Sequence, residues 1–105
     1  MQTDEQIQVV RQLVEGYYKN SLSDPTLSLP PIETDEGQFI ISIGTSILGT
    51  KWGIGYPGGS FVQAVLQNNL MAAVNKADSI NIKVLPFYCK LIYNVGMPTE
   101  LAYQL

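Results

Sequence analysis

Histidine is absent from the 105 residues of this chain. That absence removes Ser/His/Asp and Cys/His nucleophilic machinery, histidine metal sites and histidine pH switching together. Cysteine occurs once, as Cys89, so no disulfide can form within the chain, which fits a reducing compartment. With no histidine to activate it and apolar neighbours at helical spacing, Cys89 reads as a core thiol rather than a nucleophile.

Charge is scarce as well. Charged residues make up 14% of the chain, well below the roughly 25% usual for soluble domains, while apolar residues make up 46%. A surface with so few charges points to faces covered by other subunits or partners. The net charge of −3 and pI near 4.6 argue against a phosphate-backbone binder and leave a regulator of nucleic acid as a third-ranked reading, since Arg11, Lys19, Lys51, Lys76, Lys83 and Lys90 nowhere form a run. Nucleic acid is therefore not an expected partner. No window approaches the ~20 consecutive apolar residues of a spanning helix, and Asp4 and Glu5 stand where a leader would be basic. A soluble, cytoplasmic, single-domain protein over residues 1–105 is expected, with no membrane partner and no cofactor.

The segments that are present read in order as follows. Thr3 and Gln6 have capping-box spacing, and Ile7, Val10, Leu13, Val14, Tyr17 and Tyr18 make one apolar stripe, so a helix is expected over about Asp4 to Lys19. From Asn20 to Gly37, three prolines, several hydroxyl residues and the acidic cluster Glu33, Asp35 and Glu36 read as a proline-rich arm. Leu22, Leu27, Leu29 and Ile32 give that arm apolar anchors on its own domain or on a neighbouring subunit. The run QFIISIG, Gln38 to Gly44, is rich in β-branched residues and reads as a strand, with a weaker second strand between Ile47 and Ile54. Together they predict a short β-hairpin.

Pro57, Gly58 and Gly59 read as a turn, Ser60 as an N-cap, and Phe61 to Ala77 as the central core helix. In that helix Leu70 falls on the apolar arc, while Asn69 and Lys76 intrude on it. Ser79 to Val95 is read as a second helix, with Pro86 in its first turn and Gly96 just past its end; Asn81 to Leu85 reads either as a preceding turn of helix or as an extended link, and Thr99 either caps a short helix through Tyr103 or opens a frayed tail. The fold class expected is α+β, mainly helical: an N-terminal helix, the arm, the hairpin, then two packed C-terminal helices.

Four sets of residues bear on chemistry. GIGYPG, Gly53 to Gly58, has the spacing of a dinucleotide fingerprint, but Asp78 precedes any further strand and the chain is short for the sheet that fingerprint needs, so a structural turn is preferred. GTSILGTK, Gly44 to Lys51, misses the phosphate-loop pattern because Thr50 separates Gly49 from Lys51. Gly58, Gly59 and Ser60, opening a helix, form a candidate anion-binding turn. Tyr17, Tyr18, Trp52 and Tyr56 are candidate interface residues, since their rings bury apolar area and keep a polar tip wet. The acidic trio reads as solvated carboxylates rather than a cation site.

The stretch GGSFVQAVLQNNLMAAVNKADSIN, followed by Tyr93, Asn94 and Pro98, resembles small phage and prophage proteins that share a GGxFVxAVLxNxLxxAxxxADxxN pattern. The resemblance covers Tyr56 to about Pro98, including Gly58, Gly59, Phe61, Asn69, Leu70, Asp78 and Asn81. It implies a helical fold and a viral or mobile-element setting, and no activity. The leading expectation is a non-enzymatic assembly or interaction protein forming a homo-oligomer, with another protein partner as a variant of it. The alternative is a small-molecule or anion binder, or a small enzyme, using the Gly53 to Ser60 turn.

Overall fold

The computed structural model describes residues 3–102, and among them it holds helices and no strand. Helix α1 runs Thr3–Ser21, α2 Asp35–Trp52, α3 Ser60–Leu66, α4 Leu70–Lys76, α5 Ser79–Lys83, α6 Leu85–Asn94 and α7 Thr99–Ala102. Helix α1 begins at Thr3 itself, so the residue that would cap it lies outside the described residues, as does Tyr103 beyond α7.

The expected β-hairpin does not form, and the α+β assignment is corrected to all-helical. The first proposed strand lies wholly within α2, and the second overlaps its last turns and runs past its end at Trp52 into the Gly53 turn. Its start was written in the acidic trio: Thr34 accepts a hydrogen bond from the Gly37 amide at 3.0 Å, and Asp35 and Glu36 lie in the first turn, where the helix dipole favours negative charge. It stops at Gly53, whose left-handed backbone (φ 73°) turns its amide back onto the Gly49 and Thr50 carbonyls. Between these caps Gly37, Ile40, Ile41, Gly44, Ile47 and Leu48 are buried at three- and four-residue spacing. Strand propensity spans only ~1 kcal/mol, whereas each fully buried Ile or Leu contributes about 1.5–3 kcal/mol. Burial on several sides therefore decides the outcome over a β-branched run.

Helices α1 and α2 pack antiparallel. As α1 advances through Ile7, Val14 and Tyr18, its neighbours recede through Gly55, Gly44 and Pro30. Arg11 ties the pair on the outside, donating to Gln38 Oε1 at 2.7 Å, Ser42 Oγ at 3.2 Å and Glu15 Oε1 at 3.2 Å. Helix α6 closes over both. At the crossing, a Cβ on Gly44 would lie 2.9 Å from a Val14 methyl and 3.1 Å from a Leu91 methyl, so any larger residue would force those side chains to shift. Phe87 of α6 stacks near Tyr17 and Tyr18, and Tyr88 near Phe61, so aromatic rings join α1, α3 and α6.

The arm contains one 3₁₀ turn, Pro25–Leu27, capped by Asp24, and it packs on its own chain. Leu27 is buried, Leu29 and Ile32 are half-buried, and the Tyr18 hydroxyl donates to the Pro30 carbonyl.

The long central helix expected from Phe61 to Ala77 is broken. Asn68 adopts a left-handed conformation (φ 57°), and the Asn69 side chain accepts from the Ala72 amide at 3.1 Å, capping a separate α4 that packs on α3. Asn69 and Lys76 intruded on the apolar arc because they belong to a different helix. The Ser79–Val95 helix likewise divides at Val84 into α5 and α6, with Asp78 capping α5 through the Asn81 amide and Pro86 in the first turn of α6.

Candidate functional site

The turn from Gly53 to Ser60 is held by specific contacts. Gly53 and Gly55 both have left-handed backbone (φ 73° and 74°), and the Ile54 amide donates to the Gly49 carbonyl at 2.8 Å. This curl lays Gly55 against Ile7 of α1. Further on, the Gly58 amide donates to Thr50 Oγ1 at 2.8 Å, and Gln63 Nε2 donates to the Gly58 carbonyl at 3.3 Å.

The candidate anion-binding residues Gly58, Gly59 and Ser60 are adjacent at the surface, but their roles shift. Gly59, rather than Ser60, is the N-cap of α3, and no side chain caps that end; Ser60 is the first helical residue. The Gly58 amide is occupied by Thr50, and α3 has seven residues, which makes its dipole short. Among the described residues no group of three or more His, Cys, Asp or Glu side chains has metal-binding proximity.

Beside the turn lies a furrow that residue spacing did not reveal. One hollow of about 210 Å³ is lined by Ile7, Ser42, Thr45, Ser46, Ile54 and Tyr56, among others. A second, of about 480 Å³, shares Ile7, Ile54, Gly55 and Tyr56 and reaches Thr3, Asp4 and Gln6. Gln6 is buried, and among the described residues no buried side-chain nitrogen or oxygen lacks a hydrogen-bond partner. The furrow has apolar walls, a hydroxyl-bearing floor from α2 and a carboxylate at its rim. Its residues come from sites about 40 positions apart in the chain, so only the α1–α2 pairing creates it.

The four candidate interface residues part company. Tyr56 is 94% exposed at the furrow's mouth and Trp52 is half-buried at the end of α2. Tyr17 is half-buried, with its hydroxyl accepting from Asn94 Nδ2 at 3.0 Å. Tyr18 is corrected to core: it is fully buried among Phe87 and the arm, and it cannot meet a partner without unfolding. Burial first, and the negative charge of Glu36 second, push its phenol up to about 12.

Two side chains expected in the core lie outside it. Cys89, expected in the core, is exposed. Leu70, expected on the buried arc, is 65% exposed, next to Met71 at 80% and Val74 at 41%. Within α4 only Ala73 is buried. Helix α4 therefore carries its large apolar side chains on the outside, with Leu70 bordering a small hollow shared with Leu85 and Cys89.

Charge is also unevenly divided. Residues 1–50 carry two basic and seven acidic side chains, against four basic and two acidic in residues 51–105. Among the described residues no helix is long and apolar enough to cross a membrane. No family model, curated protein or solved structure matches the chain.

Proposed function

We propose that this chain is a non-enzymatic assembly or interaction protein that forms a homo-oligomer, in the phage or prophage setting its second half suggests. The observation that carries the reading is α4: a seven-residue helix that buries one alanine and presents Leu70, Met71 and Val74 to solvent. Seven residues are too few for a helix to be stable by itself in water, and covering its apolar face would add about 1.5–3 kcal/mol per large side chain. The low charge content of the chain agrees, since large exposed apolar patches mark interaction surfaces.

Light scattering on the purified protein at micromolar concentration tests it. The expected result is a mass of two or more chains, reduced to one chain by Met71→Glu with unchanged helicity. A wild-type monomer throughout that range removes the reading.

The second reading, a small-molecule binder, is favoured by the furrow beside Gly53 to Tyr56. A panel of small neutral compounds that leaves the melting temperature unmoved counts against it.

A further inference from the structure

Resting on the self-association just proposed, we infer that the contact is head-to-tail: α4 of one copy seats in the furrow between α1 and the Gly53–Tyr56 turn of the next. The donor surface is Leu70, Met71 and Val74; the receiving surface is Ile7, Ile54 and Tyr56. The two share no residue, so one molecule presents both at once. That is the condition for a heterologous contact, which closes into a ring or continues as a filament.

Two observations select a second copy as the occupant. First, the shapes agree. A dry cavity of about 150 Å³ lined by aliphatic side chains accepts benzene, so the 210 Å³ hollow is large enough for a methionine or leucine side chain. Methionine at the centre of the donor face adapts to an irregular slot.

Second, the charges are complementary. Lys76 ends α4, and Asp4 and Glu5 are exposed in the first turn of α1, Asp4 at the furrow's rim. The wider division agrees, with the acidic excess confined to the first half of the chain and the basic excess to the second. Complementary potentials of this kind fix register and suppress the wrong pairing.

The experiment is a mixing test on the intact chain with Met71→Glu, which disables the donor face, and Tyr56→Glu, which disables the receiving face. Both residues are highly exposed, so both variants are expected to keep the wild-type circular dichroism and melting temperature. Each alone should be monomeric by light scattering. Mixed in equal amounts they should form a complex of two chains and no more, because one intact donor meets one intact receiver.

If the wild type assembles but the mixture stays monomeric, the two faces do not pair across copies, and this inference is overturned while the assembly reading stands. If Tyr56→Glu assembles like the wild type, the furrow is not the receiving surface. If the wild type is itself monomeric, the assembly reading fails and the inference goes with it. A fall of at least tenfold in association between 0.05 and 0.5 M salt is expected, since an uncharged contact would strengthen or hold.

Discussion

The Tyr88 hydroxyl donates a 2.6 Å hydrogen bond to the side-chain oxygen of Asn81, inside the core and across the junction of α5 and α6. The same asparagine gives its backbone amide to the Asp78 carboxylate, so one residue joins the cap of α5 to the aromatic cluster under α6. The pair is polar and buried, and each member satisfies the other.

Removing one partner leaves the other stranded. Asn81→Leu should therefore destabilise the protein by about 1–3 kcal/mol, and Tyr88→Phe by a similar order. The double substitution Asn81→Leu/Tyr88→Phe should cost less than the sum of the two, because neither polar group is then orphaned. Urea unfolding of the four proteins measures this, and strict additivity would show that the bond contributes nothing specific.

Two glycines inside helices should respond to the same substitution with opposite sign. Gly16 in α1 has open space where a Cβ would be, so Gly16→Ala should stabilise by about 0.5–1 kcal/mol through helix propensity. Gly44 in α2 has Val14 and Leu91 at 2.9 and 3.1 Å from that position, and overpacking a core site typically costs about 1–3 kcal/mol. Gly44→Ala should lower the melting temperature while Gly16→Ala raises it. A stabilising Gly44→Ala would mean that α1, α2 and α6 do not cross there.

Alkaline pH should unfold the protein cooperatively. Burial raises the phenols of both Tyr18 and Tyr88 above the ordinary tyrosine value of about 10, Tyr18 to about 12, with Glu36 adding to the first and Asp78 and Tyr18 to the second. In the unfolded chain these groups lose their protons near pH 10, so above it the unfolded state binds fewer protons than the folded one. Their contribution is complete below about pH 10 and is lost as pH rises towards 12. Melting temperatures from pH 8 to 11.5 should be level at first and then fall. A level curve across the whole range would show that neither hydroxyl is held neutral by the fold.

Much of the helical frame was legible in the residues. The α1 stripe, the arm anchors Leu27, Leu29 and Ile32 and Pro86 in the first turn of α6 stand where periodicity and capping put them, whereas the anchor Leu22 is exposed and the cap after the Gly58–Gly59 corner is Gly59 rather than Ser60. Gln38 to Gly44 was not legible, because a seven-residue run holding Phe39, Ile40, Ile41 and Ile43 satisfies a strand pattern and one face of a helix equally well. The decisive signals lay at its ends, in Thr34 with Asp35 and Glu36, and in Gly53. The break at Asn68 also left a mark, since Asn69 and Lys76 spoiled an otherwise apolar arc. The furrow left none, for its walls are contributed by Gln6 and Ile7, by Ser42 to Ser46, and by Ile54 to Tyr56.

What the residues determined alone is chemical: without histidine and with one cysteine, whole classes of nucleophilic and metal chemistry are excluded whatever the fold. Local order followed too wherever a cap or stripe was complete within one segment. Tertiary structure decided whether α2 was helix or strand, which side of α4 faces solvent, and where Ile7 meets Gly55. Those outcomes depend on which surfaces are buried against each other, and burial outweighs the ~1 kcal/mol preferences that a short segment carries.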